Sequence, residues 1–367
     1  MVPVNVIFQL VLLPMFAVWS IFSFASESDL PLSENDIHRI EYPPGMQTHS
    51  AATFGEQGIT LIYDHFDGYD WKKYGGRLKY SQLKIDKSYI SASKPKPIEQ
   101  DATIKFRTEV SSVVHSGAEW FYFVESESTY FKPATIFRAR WQSNQLVHKQ
   151  LLSLSTPIAA ASSPKWYLLD DSKVALVYRS KPYPGCCSLL IAISNDGVSF
   201  GEAVEIGSVG SMPALAQFSS AELIYTFQTQ FTYQGGDKHG MRTHFRLSSN
   251  QGKNWTIETP ITDRVEEVHD AAPVQRKDGL VDVYYSSIDS KENEVFSLWR
   301  RCVSSTGELG PEELVIEKRV GNIAKVSPHR LKDGLLLITF VEQGEVFGEV
   351  DHSLHAARLH HDSACGL

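Results

Sequence analysis

Ser211-Met212-Pro213-Ala214, Leu223-Ile224-Tyr225 and Ser248-Ser249-Asn250-Gln251-Gly252-Lys253-Asn254-Trp255 follow one another near the middle of the chain. They set out a small-residue segment, an apolar strand that ends in an aromatic, and a tight turn. The same order returns on both sides. The aromatic strand reads Leu61-Ile62-Tyr63, Phe121-Tyr122-Phe123, Leu176-Val177-Tyr178, Val283-Tyr284-Tyr285 and Leu337-Ile338-Thr339-Phe340. Its last residues, at 63, 123, 178, 225, 285 and 340, are separated by 60, 55, 47, 60 and 55 residues. The segment ahead of each strand is built largely of small residues. It reads Thr48-His49-Ser50-Ala51-Ala52, Glu109-Val110-Ser111-Ser112, Ala161-Ser162-Ser163-Pro164, His269-Asp270-Ala271-Ala272-Pro273 and Lys325-Val326-Ser327-Pro328-His329.

Small side chains are needed where several strands converge on one axis, and a unit of this length holds four strands. The pattern predicts an all-β chain, a six-bladed β-propeller of four-stranded antiparallel blades over residues 26–361, with 362–367 as a tail. Residues 33–46 are expected to supply a closing strand against the last blade. Composition agrees: 42% hydrophobic and 21% charged residues describe a packed domain and exclude a disordered chain. The net charge of −8 argues against a nucleic-acid partner, because phosphate affinity comes from concentrated positive charge.

Before Glu27 there is no charged residue, and Val2 to Phe24 is almost wholly apolar. Ser23-Phe24-Ala25 offers a small-x-small cleavage site, so residues 1–25 read as a signal peptide or, if retained, a membrane anchor. Either way the rest is exported, to a secreted or periplasmic location. The four cysteines, Cys186, Cys187, Cys302 and Cys365, then permit disulfides in any of three connectivities. One of them would tie the tail to the body through Cys302–Cys365. No cofactor motif is present. The C-terminal histidines His352, His355, His360 and His361 read as surface residues, not as a metal site.

The turn at 248–255 closely matches the Asp-box, S-x-D-x-G-x-x-W, with Asn250 in place of Asp. A shorter copy stands at Ser194-Asn195-Asp196-Gly197-Val198-Ser199-Phe200, and Ser304-Ser305-Thr306-Gly307 is a weaker echo. The chain thus resembles the sialidase-like, Asp-box (BNR-repeat) six-bladed propellers over most of residues 38–360. That resemblance implies a glycosidase with arginines that hold a substrate carboxylate, a Tyr–Glu nucleophile and an Asp acid/base. Phe106-Arg107 carries part of the family's F/Y-R-I-P motif, with Thr108-Glu109 replacing Ile-Pro. Arg242 opens the strand that leads into the Asp-box.

In a propeller, the starts of the innermost strands and the loops after the second strands share one face. That face should collect His49, Arg107, Glu109, His269 and Asp270, together with Asp64, Asp67, Asp70, Glu125, Glu127 and the loop holding Tyr233. Carboxylates, arginines and aromatics around a funnel suit the cleavage of a terminal acidic sugar. Glu109, Asp64 and Asp270 are the acid/base candidates and Tyr233 the nucleophile or stacking group. Arg107, Arg242, His49 and His269 are the substrate-binding candidates. Bland readings stand beside these. His49 and His269 could bond neighbouring blades, Glu109 could pair with Arg107, and Asp64 could be a solvated turn residue. Asp270 could cap its turn, while Arg138, Arg140, Arg246, Arg300 and Arg301 should lie on exposed faces. The expected partner is a glycan or polysaccharide, with the chain a monomer. Two other functions fit the same face: a non-catalytic glycan- or protein-binding propeller, and a polysaccharide lyase in which His49 or His269 removes the proton beside a uronic carboxylate.

Overall fold

The computed structural model describes residues 31–32, 36–41, 46–55, 58–67, 75–86, 89–128, 132–169, 172–180, 188–232, 239–264, 268–290, 295–317, 322–330, 336–346, 349–359 and 365–367. Residues 1–30, Asp70, Cys186–Cys187, Tyr233, His360 and His361 lie outside them, as do the side chains of His49 and His352. The described strands fall into six antiparallel units. The first comprises Met46–Gly55, Gly58–Phe66 and Gly76–Asp86, with the short Tyr89–Ala92 and Lys96–Pro97 on its outer edge. The second is Phe106–His115, Ala118–Ser126, Thr135–Gln142 and Gln145–Leu151. One parallel contact, Gly76 with Phe106, joins the two. Blade 3 runs Lys165–Leu168, Val174–Arg179, Ser188–Ser194 and Val204–Val209. Blade 4 runs Ser211–Gln217, Leu223–Thr232, His239–Ser248 and Thr259–Pro260. Blade 5 follows as Val268–Gln275, Val281–Ser290, Val295–Val303 and Leu309–Ile316.

Blade 6 takes three strands from the C-terminal part, Asn322–Arg330, Leu336–Val346 and Glu349–Leu359. Its outermost strand, Ile37–Glu41, comes from the other end of the chain and pairs antiparallel with Glu349–Leu359. The expected closing segment is therefore present, narrowed to five residues. Innermost strands neighbour one another in order, and the sixth touches the first. The ring is closed.

Each seam between blades is filled by its own apolar cluster, because a blade's two faces alternate along every strand. Tyr122, Trp166 and Leu176 pack between blades 2 and 3, while Tyr225, Phe227 and Ile191 pack between 3 and 4. At the closing seam Leu61 and Tyr63 meet Leu337 and Val341. Polar contacts add to that last seam. Ser50 Oγ lies 2.6 Å from Thr339 Oγ1 and 3.0 Å from His329 Nε2, and Arg358 Nη1 donates to the Asp86 carbonyl at 3.1 Å.

The sequence turns work as fasteners between neighbouring blades. In the 248–255 turn, Ser248 Oγ accepts from Gly252 N at 2.9 Å and Asn250 Oδ1 accepts from Asn254 N at 2.9 Å. Trp255 donates back to the Gly252 carbonyl at 3.0 Å and meets Tyr225 edge-on. Gly252 has φ of 82°, where a side chain would strain the backbone. In the related turn, both Val198 N and Ser199 N donate to Asp196 Oδ1 at 2.7 Å. A Cβ on Gly197 would come within 2.6 Å of the Tyr122 hydroxyl and of Arg138 Nη1, so this turn sits flush on blade 2.

Arg140 is exposed, as expected, but four other third-strand arginines are not, which corrects their reading. Arg138 and Arg300 are buried, and Arg246 and Arg301 are half-buried. Arg138, Arg246 and Arg301 donate to the carbonyls of Asp196, Ile206 and Ile261 across three seams. Arg300 instead joins Asp282, Arg276 and Glu313 in a buried ion network within blade 5. His355, read as a surface residue, is also buried; it stacks on Phe340 and is held by Ser353 and Glu342. In each case the bonding capacity of a long or cationic side chain is satisfied inside a seam or blade, which residue type alone does not reveal.

The tail is tied to blade 5 by Cys302–Cys365, with Cα atoms 5.6 Å apart. Closing a loop of 63 residues restrains the unfolded chain, so Cys302→Ser should lower unfolding free energy by roughly 2–4 kcal/mol, read in denaturant melts under oxidising conditions. A second outcome concerns the closing seam. Burial lowers the His329 imidazole from 6.5 to about 4. A base lowered on folding contributes stability that is complete above its unfolded value and is lost as pH falls from 6.5 towards 4. Melts across that window should lose about 2–3 kcal/mol, a loss that His329→Gln should largely remove.

Candidate functional site

The innermost strands share one irregularity. Each of five carries a bulge near its start, between Gln47 and Ser50, Thr108 and Ser111, Ser211 and Ala214, His269 and Ala272, and Ala324 and Ser327. A bulge adds one residue to a strand and re-aims its side chain. Glu109, Met212, Asp270 and Lys325 occupy these bulges with φ of 62°, 49°, 52° and 54°, and Ser163 has φ of 51° just ahead of the blade 3 strand. Non-glycine residues in this region cost roughly 1–3 kcal/mol each unless their surroundings hold them.

Two carboxylates do the holding. Asp64 Oδ2 accepts from Glu109 N at 2.8 Å and its Oδ1 from Val110 N at 3.4 Å, so blade 1 fixes the bulge of blade 2. Asp270 Oδ2 accepts from Lys325 N at 2.9 Å, so blade 5 fixes the bulge of blade 6. Asp64 is therefore fully buried and lies in a strand, which overturns its reading as a solvated turn residue. The second strands run on to Phe66 and Ser126, so Asp64 and Glu125 belong to strands where loops were expected.

Around the axis the bulge residues meet. Lys325 Nζ lies 3.4 Å from Met212 Sδ. Lys165, two residues beyond Ser163, feels the charges of Asp270, Lys325 and Glu109. Burial, aided by Lys325 and opposed by Asp270 and Glu109, lowers its ammonium from 10.5 to about 8. For Asp270 burial acts upward, but Lys325, His269 and Lys165 outweigh it and the carboxyl lies below its ordinary value. Lys165 also lines a cavity of about 180 Å³, together with Ser50, Ser111, Ala272, Ser327 and His329 among others.

Glu109 and Asp270 thus both act on Lys165, and Asp64 holds the backbone of Glu109. Arg107 does not join them. Its Nε bonds Glu125 Oε1 at 2.7 Å, its guanidinium lies 5.7 Å from the centre of the Phe123 ring, and Lys149 takes the other Glu125 oxygen. The Arg107–Glu109 pair is replaced by Arg107–Glu125, because the strand register sets those two residues opposite each other. His269 packs edge-on against Phe296 at 5.2 Å and acts on Asp270 through its charge. Arg242 is exposed on the third strand of blade 4, opposite Thr229. His49 lies on the innermost strand of blade 1, and Tyr233 is outside the described residues. Lys165 and Lys325 escaped the sequence reading, although each is a cation set in a small-residue segment.

A wider pocket of about 360 Å³ opens on the same face at the seam of blades 1 and 2, lined by Asp67, Arg77, Glu99, Asp101 and Lys105 among others. Asp67 and Arg77 pair across it.

No family model matches the chain, and no curated protein matches its sequence. Solved structures do match in shape. A Dyadobacter fermentans protein of unknown function shares 11% identity over 88% of this chain and 99% of its own, with a TM-score of 0.63. An α-L-arabinanase from Penicillium chrysogenum in complex with arabinobiose shares 11% over 88% of this chain and 98% of its own, at 0.60. The Trypanosoma rangeli sialidase in complex with the inhibitor DANA shares 9% over 86% of this chain and 55% of the sialidase, at 0.53. At such identities the likeness concerns architecture, and it agrees with the closed ring of antiparallel blades. The chain has the fold of the sialidase-like all-β propellers.

Proposed function

We propose that this chain is an exported glycoside hydrolase that removes a terminal acidic sugar from a glycan at the axial well. The observation that carries the reading is that two carboxylates, Glu109 and Asp270, and a second ammonium, Lys325, all act electrostatically on Lys165 among the inner strands. Glycoside cleavage needs one carboxyl group to protonate the leaving oxygen and a second to attack or to activate water. Asp270, kept ionised by the neighbouring positive charges, suits the second role, and Glu109 takes the first. Lys165 and Lys325 stand where a substrate carboxylate would be drawn in, as point charges instead of arginine forks. Asp64 serves as a positioning residue that fixes the backbone of Glu109. A well closed on all sides by inner strands admits the end of a sugar chain more readily than its middle. The known activities of the arabinanase and sialidase neighbours support sugar chemistry on this fold. The Cys302–Cys365 bond supports an oxidising compartment, in keeping with the apolar leader.

A non-catalytic glycan binder is favoured by one observation: oxygens of both Asp64 and Asp270 are committed to main-chain N–H groups. Mutants separate the two readings. Glu109→Gln and Asp270→Asn keep volume and acceptor atoms, so folding should survive. Each should cut turnover of a 4-methylumbelliferyl sialoside by about 10²–10⁴-fold. Asp64→Ala should reduce kcat with a smaller change in KM. Wild-type turnover in both carboxamide variants would remove the catalytic assignment. Sugar binding without turnover by the wild-type protein would establish the binder. Sequencing the exported protein should find Ser26 as its first residue, cleaved after Ala25.

A further inference from the structure

Lys165 breaks the rule of its own position. Two residues beyond the positive-φ residue, four other inner strands carry Ser111, Ala214, Ala272 and Ser327, while blade 3 carries a lysine. Local rules broken without a packing reason tend to mark working groups. Among the described residues no hydrogen bond or ion pair engages the Lys165 amine, although Asp270, Glu109 and Lys325 lie within electrostatic reach. Lys165 lines the cavity of about 180 Å³, whose other walls include Ser50, Ser111, Ser327 and His329. An amine without a close partner, on the wall of a small cavity and within electrostatic reach of two carboxylates, is arranged as a nucleophile.

We infer that Lys165 is a carbonyl-reactive amine that condenses with a small 2-keto acid seated in the axial cavity. Lys325, which directly precedes the cavity residues Val326 and Ser327, would draw the ligand carboxylate, leaving the keto carbon for Lys165. The amine lone pair attacks that carbon, forming the C–N bond as the carbonyl pair moves onto oxygen. Protons released from nitrogen pass by way of Asp270 or Glu109 to this oxygen, which departs as water. One carbonyl and one amine thus give one imine and one water, with no redox change. The lowered ammonium leaves an appreciable neutral fraction near pH 7–8, which an ordinary lysine lacks. This inference does not rest on hydrolysis. The hydrolase reading can fail while the imine forms, or stand while it does not.

The test is to incubate the full chain with pyruvate and sodium borohydride, the latter reducing any imine to a stable amine, and to map the adduct by peptide mass spectrometry. A reduced pyruvyl adduct is expected at Lys165, at least about tenfold above that at exposed Lys253 near neutral pH. Its rate should level off above pH about 8. Lys165→Arg, which keeps the charge, should lose that adduct. Labelling of Lys165 no greater than that of Lys253 in the wild-type protein overturns the inference, whether or not the variant folds.

Discussion

Closure of the ring is the constraint on which the rest depends. An open row of four-stranded sheets would leave an apolar face uncovered at each end, and a propeller removes both by packing the first blade on the last. Here that seam is made by Leu61 and Tyr63 against Leu337 and Val341, by the Ser50–Thr339–His329 cluster, and by a fourth strand contributed from Ile37–Glu41. Once closed, inner strands from every blade meet around one axis. Residues far apart in the chain, such as Glu109, Lys165, Asp270 and Lys325, then act on one another.

The axial site also holds strained backbone. Bulged residues with positive φ recur from blade to blade, and the carboxylates of Asp64 and Asp270 each reach into the following blade to hold one. Ring geometry and site geometry are therefore the same set of contacts. A change that loosens a seam also moves the groups at the axis, so stability and any chemistry in the well are coupled.

Much of the fold was legible in the sequence because repetition is a one-dimensional signal. Aromatic strands, small inner segments and Ser/Asn/Gly turns recur at similar spacing, and the closing strand followed from the need to complete the last blade. Side-chain direction was less legible. Arg107 looked like a site residue, but the register places it opposite Glu125. Arg138 and Arg300 looked exposed, yet one is fastened across a seam and the other lies in a buried ion network. Lys165 was overlooked because the small-residue segment of its blade was read as Ala161-Ser162-Ser163-Pro164, which stops one residue short of it. Pattern reports which strand a residue belongs to. Whether its side chain faces the axis, a neighbouring blade or solvent depends on a bulge, which shifts that alternation by one residue.

The mixed origin of blade 6 has a further consequence, for the order of assembly. Its outer strand, Ile37–Glu41, pairs with Glu349–Leu359, so the two partners are made at opposite ends of synthesis. Until the last of these emerges, the early strand has no edge to join, and blade 6 remains one strand short. Pairing across so large a sequence separation is slow. The nascent chain therefore stays open until Glu349–Leu359 has been made, and the ring closes only as a late step.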